Sequence, residues 1–487
     1  MISYHLTMRS QVALVAVSAL VVVGCYDPRV RARLECGPNG ECPGDQRCVD
    51  KVCGGDPVQP DGGPVFLDAD LIGPYDLTVQ LVGAPGAQVR SVAPGIDCGP
   101  ACSASYQRGT QVVLRAVLSN GSGLRFAGWR GDCAGIDVEC RLTMDGPRDV
   151  TAVFEVQTHN LVFATRTPLS TRLTSAALYD ARCNTAASAA GLNNASGTAF
   201  MAWTSDTGST ALQRLTGTGA RGFVRMDGLA FTDRLSDLVT GNMVFNPVLF
   251  DEGGRELVGN VATGTSPQGQ ALSHCAGWTG GDSVAMGSTT GGPLTWTYYT
   301  FPTCSLTTMA SFYCFQRSFA AAIVDPTISP SQKRLFVTRS KHTPGAGLAA
   351  ADDLCTREGP PSSAGWKALL ARGTQPAAAM LDAGTIYISM QGHIIGSGRE
   401  LIDNGRLRSG IWQYADLGFF DELSPSAPQV LTGTFTPTTP GPVCGDLMVT
   451  ATGYAANGML NDTQRWWSRD MTSQPCGASM RLYCVQQ

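Results

Sequence analysis

The sequence predicts a multidomain α+β chain rich in β structure, and three observations predict it. Charged residues make up only 15% of the chain while Gly numbers 57, a balance that favours strands, turns and loops over long charged helices. Apolar and polar residues alternate in several short runs, the period of half-buried strands. There are 17 cysteines, an excess suited to modules held by cross-links. At 487 residues the chain exceeds one ordinary domain, and about two to four are expected. The net charge of -4 leaves no basic field for nucleic acid.

Residues 1–24 read as a signal peptide. Arg9 supplies the positive start, residues 12–23 the apolar middle and Gly24 the small residue before Cys25. That middle is shorter than the roughly 17–25 residues of a membrane span. A start at Met8 gives a more typical short signal. The tail Val22-Val23-Gly24-Cys25 resembles the lipobox of bacterial lipoproteins. The resemblance implies cleavage after Gly24 and lipidation of Cys25, an anchor that holds the chain to a membrane after export. The competing reading is an ordinary signal with a chance Cys. Setting Cys25 aside leaves an even number of cysteines, and in an exported chain an even set implies disulfides.

Residues 25–53 read as the lipidated Cys and a Cys-rich knot, in which Cys36, Cys42, Cys48 and Cys53 fall within 34–53 with almost no apolar side chains. Such a segment keeps a shape only through cross-links among its own cysteines. It resembles the small Cys-rich knots that follow the anchor in bacterial surface lipoproteins. No C-x2-C zinc spacing is present. Residues 54–74 are rich in Gly, Pro and Asp and read as a linker.

Residues 75–156 show period-two alternation: Leu77, Val79 and Leu81; Val112, Leu114, Ala116 and Leu118; Val150, Ala152, Phe154 and Val156. Between these runs lie "GIDCGPACSASY" and "FAGWRGDCAG". The segment resembles a divergent B-repeat, the bacterial repeat domain of secreted and surface proteins. In that reading Cys98 and Cys102 close a tight turn, and Cys133 and Cys140 a loop after Trp129. Trp129 is either a ligand platform or a core anchor, and the core is favoured.

The remainder is a duplication. "LVFATR" at 161–166 answers "RLFVTR" at 334–339, and "FVRMDG" at 223–228 answers "YISMQG" at 387–392. "FDE" recurs at 250–252 and 420–422, "VATGT" at 261–265 answers "VLTGT" at 430–434, and "SFYCFQ" at 311–316 answers "RLYCVQ" at 481–486. Two modules follow, 158–318 and 333–487, each with four cysteines. In each the first Cys sits on an Ala-rich helical pattern and the last in an apolar strand.

That order resembles the C-type-lectin-like and endostatin-like fold, and more closely a bacterial lipoprotein domain of unknown function within it. The resemblance implies first-to-fourth and second-to-third pairing: Cys183 with Cys314, Cys275 with Cys304, Cys355 with Cys484, and Cys444 with Cys476. The expected fold class is therefore a small β repeat domain followed by two disulfide-bonded, C-type-lectin-like domains.

No catalytic constellation stands out: there is no G-x-S-x-G, H-E-x-x-H, P-loop or dinucleotide fingerprint. His159, His274, His342 and His393 recur at no matching place in the two copies. The repeated acids Asp251, Glu252, Asp421 and Glu422 are candidate contacts for a cation, since Ca2+ prefers oxygen ligands. The plainer alternative, and the favoured one, is that they bond backbone amides or an Arg to fix a loop. Lectin-type calcium patterns are absent: Asn461-Asp462 lacks its preceding Trp. No cofactor is firmly implied. Among the aromatics near the long loops (Trp278, Trp296, Tyr298, Tyr299, Trp412, Trp466 and Trp467), Trp296 matches Trp466 or Trp467 and reads as core. Trp412 is unmatched and is the candidate surface contact. The expectation is a non-enzymatic, lipid-anchored protein of the outer membrane or cell surface, with a glycan or a protein as ligand. The alternative is a structural or assembly component of the envelope that binds no glycan.

Overall fold

The computed structural model describes residues 48–49, 52–53, 74–83, 85–217, 219–403, 405–422, 429–448, 454–459, 463, 466 and 473–487. Two compact units result, Met1–Gly73 and Pro74–Gln487. In the first, a short antiparallel ladder sets Cys48–Val49 against Val52–Cys53. The signal peptide, Cys25, Cys36, Cys42 and nearly all of the linker lie outside the described residues. The second unit is rich in β structure, with few helices, several small sheets and six disulfides. Among the described residues no helix is long and apolar enough to cross a membrane.

From Tyr75 to Val156 two four-stranded sheets enclose one core. One sheet runs in the order Ser103–Tyr106, Tyr75–Gly83, Arg148–Val156, Leu124–Gly131; the other runs Asp97–Cys98, Gln88–Ser91, Gln111–Val117, Glu139–Thr143. Alternation decides which side chains face inward: Leu77, Val79, Val112, Leu114, Val150, Ala152 and Phe154 are buried. The pattern stops at Phe154, and Val156 is exposed. Trp129 belongs to this core, edge-on to Phe126 at 5.0 Å, with its indole N–H donated to the Asp137 carbonyl at 2.8 Å. Cys98 is bonded to Cys102 and Cys133 to Cys140.

The next part of the chain builds on a fully buried strand, Asn160–Ala164, at the centre of a five-stranded sheet. Its neighbour is the strand Tyr313–Gln316, with Phe163 opposite Cys314. Cys314 is bonded to Cys183 on the helix Ala176–Ala189. The last part repeats this plan. Phe336 lies opposite Cys484, which is bonded to Cys355 on the helix Gly347–Glu358. Second bridges join Cys275 to Cys304 and Cys444 to Cys476.

At the second cysteine of each module the chain makes one turn of the wrong hand. The φ angles of Cys275, Ala276, Gly277 and Trp278 are 56°, 49°, 72° and 67°; those of Cys444, Gly445, Asp446 and Leu447 are 52°, 57°, 53° and 65°. In an L-chain this conformation costs about 1–2 kcal/mol for each non-glycine residue. The disulfide holds one end, and Trp278 or Leu447, both fully buried, holds the other. The last carbonyl of each turn then accepts the N–H of Thr174 (2.8 Å) or Gly345 (2.6 Å), which docks the turn against the start of the long helix.

The two modules do not sit apart. A single apolar cluster contains Trp203, Phe231 and Trp296 of the first together with Leu335, Trp412, Trp466 and Tyr483 of the second. Arg225, only 1% exposed, crosses the boundary: it pairs with Asp227 and donates to the carbonyls of Pro247 (3.1 Å) and Arg408 (2.9 Å). Phe245 stacks on His393 at 4.1 Å.

Candidate functional site

Trp412 lies inside the boundary between the modules, a correction to its reading as a surface contact. It is 1% exposed, and its indole N–H donates to the Val244 carbonyl of the first module at 2.6 Å. Gly292 and Gly410 flank the ring so closely that a Cβ on either would collide with it. Trp412 lacks a sequence match because its backbone equivalent is Leu249: Leu257 bonds to Leu249 in the first module as Phe420 bonds to Trp412 in the second. Trp278, Trp296 and Trp466 are buried as well, and so is Trp203, which sequence reasoning passed over. Trp296 and Trp466 each pack beside the tyrosine of the last strand, Tyr313 at 5.7 Å and Tyr483 at 5.9 Å. Trp467 lies outside the described residues. Of the loop aromatics, Tyr299 is exposed, and Tyr298 packs edge-on to Phe301 at 4.6 Å.

The repeated Phe-Asp-Glu triplets are not equivalent in space, a second correction. Ala164 donates to Phe250 as Val337 donates to Gln413, and the hairpins closed by Phe250 with Glu256 and by Gln413 with Phe419 correspond. The counterpart of the first triplet is therefore 413–415, not 420–422. The strand-end arginines make the same point. Arg166 grips Asp251 at 2.6 Å, and Arg339 grips Asp416, two hairpin positions further on, at 2.8 Å.

Protein donors already occupy these four carboxylates. Asp251, 1% exposed, also accepts the N–H groups of Gly253 and Arg255, each at 2.9 Å. Glu252 accepts the Arg166 N–H at 2.9 Å, and burial pushes its carboxyl above the usual range. Asp421 receives the Tyr414 hydroxyl at 3.4 Å. Glu422 pairs with Lys341 at 2.7 Å and Arg481 at 2.8 Å; the Lys341 bond leads in holding its carboxyl below the usual range. Among the described residues no cluster of three or more His, Cys, Asp or Glu is placed to hold a metal.

A concave feature does exist on the second module. A cleft of about 450 Å³ runs between the segment 340–343 and one face of the helix Gly347–Glu358. That face presents Ala350, Leu354, Arg357 and Glu358, spaced one helical turn apart or neighbouring across it. Glu358 is turned onto the backbone, accepting the N–H groups of Arg339 (2.6 Å) and Ser340 (2.9 Å). His342 is held in a ladder with Met480 by bonds of 2.7 and 3.0 Å. It is 8% exposed, its Nε2 has no hydrogen-bond partner among the described residues, and burial pushes its pKa down. The sequence signal for this cleft was available but faint. Its residues emerge only when the copies are compared position by position, because no motif marks them.

The described unit thus belongs to the class of β-rich, disulfide-bonded multimodular proteins. Within it, residues 91–158 match the family model of the divergent InlB B-repeat domain, which supports a bacterial repeat domain in that segment. No curated protein matches the chain.

Proposed function

We propose that this chain is an exported, lipid-anchored binding protein without catalytic activity. It presents two lectin-like modules, fused as one body, to a glycan or protein ligand at the outer membrane or cell surface. The observation that carries the reading is that every cysteine of Pro74–Gln487 is disulfide-bonded. Disulfides persist in oxidising compartments and are rare in the cytosol, so they favour export, and Cys25 behind its apolar run supplies the tether. The B-repeat match favours a surface setting. An open cleft with mixed polar and apolar walls favours binding over chemistry.

Membrane fractionation of wild type against Cys25→Ser, with the intact mass of the mature protein, tests the anchor. Wild type is expected in the membrane with an acylated first residue, and the variant in the soluble fraction. A reduced, unmodified cytosolic protein would overturn the reading. A glycan array probed with and without chelator separates glycan capture from an assembly role, which would instead give cross-links to neighbouring envelope proteins.

A further inference from the structure

The two modules share a backbone plan, so their differences at matched positions point to what the second does and the first does not. His342 occupies the place of Leu169: His342 pairs with Met480 as Leu169 pairs with Ala310. Counting from there, Lys341 stands where the first module has Pro168. Counting from the bonded pair Cys183 and Cys355, Arg357 stands where the first has Thr185, and Leu354 where it has Arg182. The first module forms the same ladder and helix with Pro, Leu and Thr, so the fold does not require a Lys, a His or an Arg at these places. All three of these line the one cleft.

The cleft combines three kinds of wall. Leu354 and Ala350 make an apolar strip; Ser340 and Thr343 also line the cleft, the Thr343 hydroxyl sharing a hydrogen bond with that of Ser479. The Arg357 side chain is exposed and makes no hydrogen bond or ion pair with the described residues. The carboxylate beside it, Glu358, is committed to backbone N–H groups. Lys341 adds a second cation, partly offset by Glu422. Guanidinium groups favour carboxylates through paired, planar hydrogen bonds. The orphaned Nε2 of His342 lacks the partner that a buried polar nitrogen ordinarily finds.

We propose that this cleft binds an acidic sugar unit. This rests on the reading of the chain as a binding protein. The carboxylate meets Arg357 with Lys341 beside it, ring hydroxyls meet Ser340 and Thr343 over the buried His342, and the C–H face of the ring lies on Leu354 and Ala350. A cleft of about 450 Å³ falls within the span of small-ligand sites, roughly 300–1,000 Å³.

The test is calorimetric titration of the full chain with glucuronate, glucose and sulfate. Glucuronate is expected to saturate with a Kd of about 1 mM, at least about tenfold tighter than either glucose or sulfate. Arg357→Thr should weaken glucuronate about tenfold and His342→Leu about threefold, both with unchanged melting at neutral pH, because Arg357 is exposed and a Leu already fills the matching ladder position in the first module. Equal binding of glucose would overturn the acid, and equal binding of sulfate would overturn the sugar. Absence of saturation, or full binding by Arg357→Thr, would overturn the site. If the protein is membrane-anchored and glucuronate does not bind, this inference alone fails. If glucuronate binds a reduced cytosolic protein, the proposed function fails and this site stands.

Discussion

In the first module the long helix, the left-handed turn and the residue that leads into the last strand meet through three rings. Tyr179 stacks on Phe312 at 4.1 Å and lies edge-on to Trp278 at 4.8 Å. In the second module the same three places hold Ala351, Leu482 and Leu447, all buried. The backbone around them is alike down to the sign of φ in the turn. The frame therefore tolerates a change from aromatic to aliphatic filling. What the copies keep is the pair of disulfides, the central ladder and the docking of the turn; what they vary is side-chain volume and, along the cleft, polarity. Cores of the right size and pattern fold with many fillings, and here the cross-links narrow the alternatives further.

The strongest way to break this comparison is to remove the long bridges. Cys183→Ala with Cys314→Ala, and Cys355→Ala with Cys484→Ala, open loops of sequence separation 131 and 129. Chain entropy then predicts nearly equal losses of about 4–5 kcal/mol. Denaturant melts that differ widely between the two would show that filling, not frame, dominates. Next comes the arginine clamp. Asp251 is buried against Arg166, whereas Asp416 is 58% exposed on its side chain against Arg339. Asp251→Asn should cost about 3 kcal/mol and Asp416→Asn no more than about 1 kcal/mol; equal losses would void the contrast. Third, Trp278→Leu, which installs the second module's residue, should cost about 2–3 kcal/mol for the cavity it leaves. A neutral result would mean that the turn repacks freely.

Protonation sharpens the contrast on a smaller scale. Burial depresses the His342 pKa below its ordinary 6.5. The unfolded chain therefore binds this proton more readily than the folded one. The stability that the neutral imidazole confers is full above about pH 6.5 and is lost as pH falls through the depressed value. His342→Leu should flatten that part of the stability curve, because Leu169 does not titrate. An unchanged slope would assign the effect elsewhere. The smallest expected change is at the hairpin tip, where Leu417 has φ 71° and the first module has Gly254 at 73°. Leu417→Gly should raise stability by about 0.5–1 kcal/mol by relieving the left-handed backbone of an exposed side chain.

Much of the β character was legible because alternation reports burial directly: Val112, Leu114 and Ala116 point inward as their period demands. The small repeat domain was legible for the same reason, helped by turns rich in Gly. The acidic triplets misled because three matching letters can recur by chance seven places out of register, and only hydrogen bonds fix register. Trp412 misled because an unmatched aromatic looks like a surface feature, whereas its partner, the carbonyl of Val244, lies 168 residues away in the other module. The fused core is a property of two folded surfaces meeting, and no local period in either copy encodes it. The cleft stayed hidden because its residues are ordinary in type and gain meaning only against their counterparts.

The long bridges have a mechanical consequence for a chain held at one end. Tension applied between Asn160 and Gln487 passes across Cys183–Cys314 and Cys355–Cys484 and bypasses the segments they enclose. Each enclosed segment would otherwise add about 450 Å of extended length. Pulled between those two ends, the chain would therefore lengthen only by the stretches outside the bridges, and the enclosed segments would stay out of the load path until sulfur–sulfur bonds are cut.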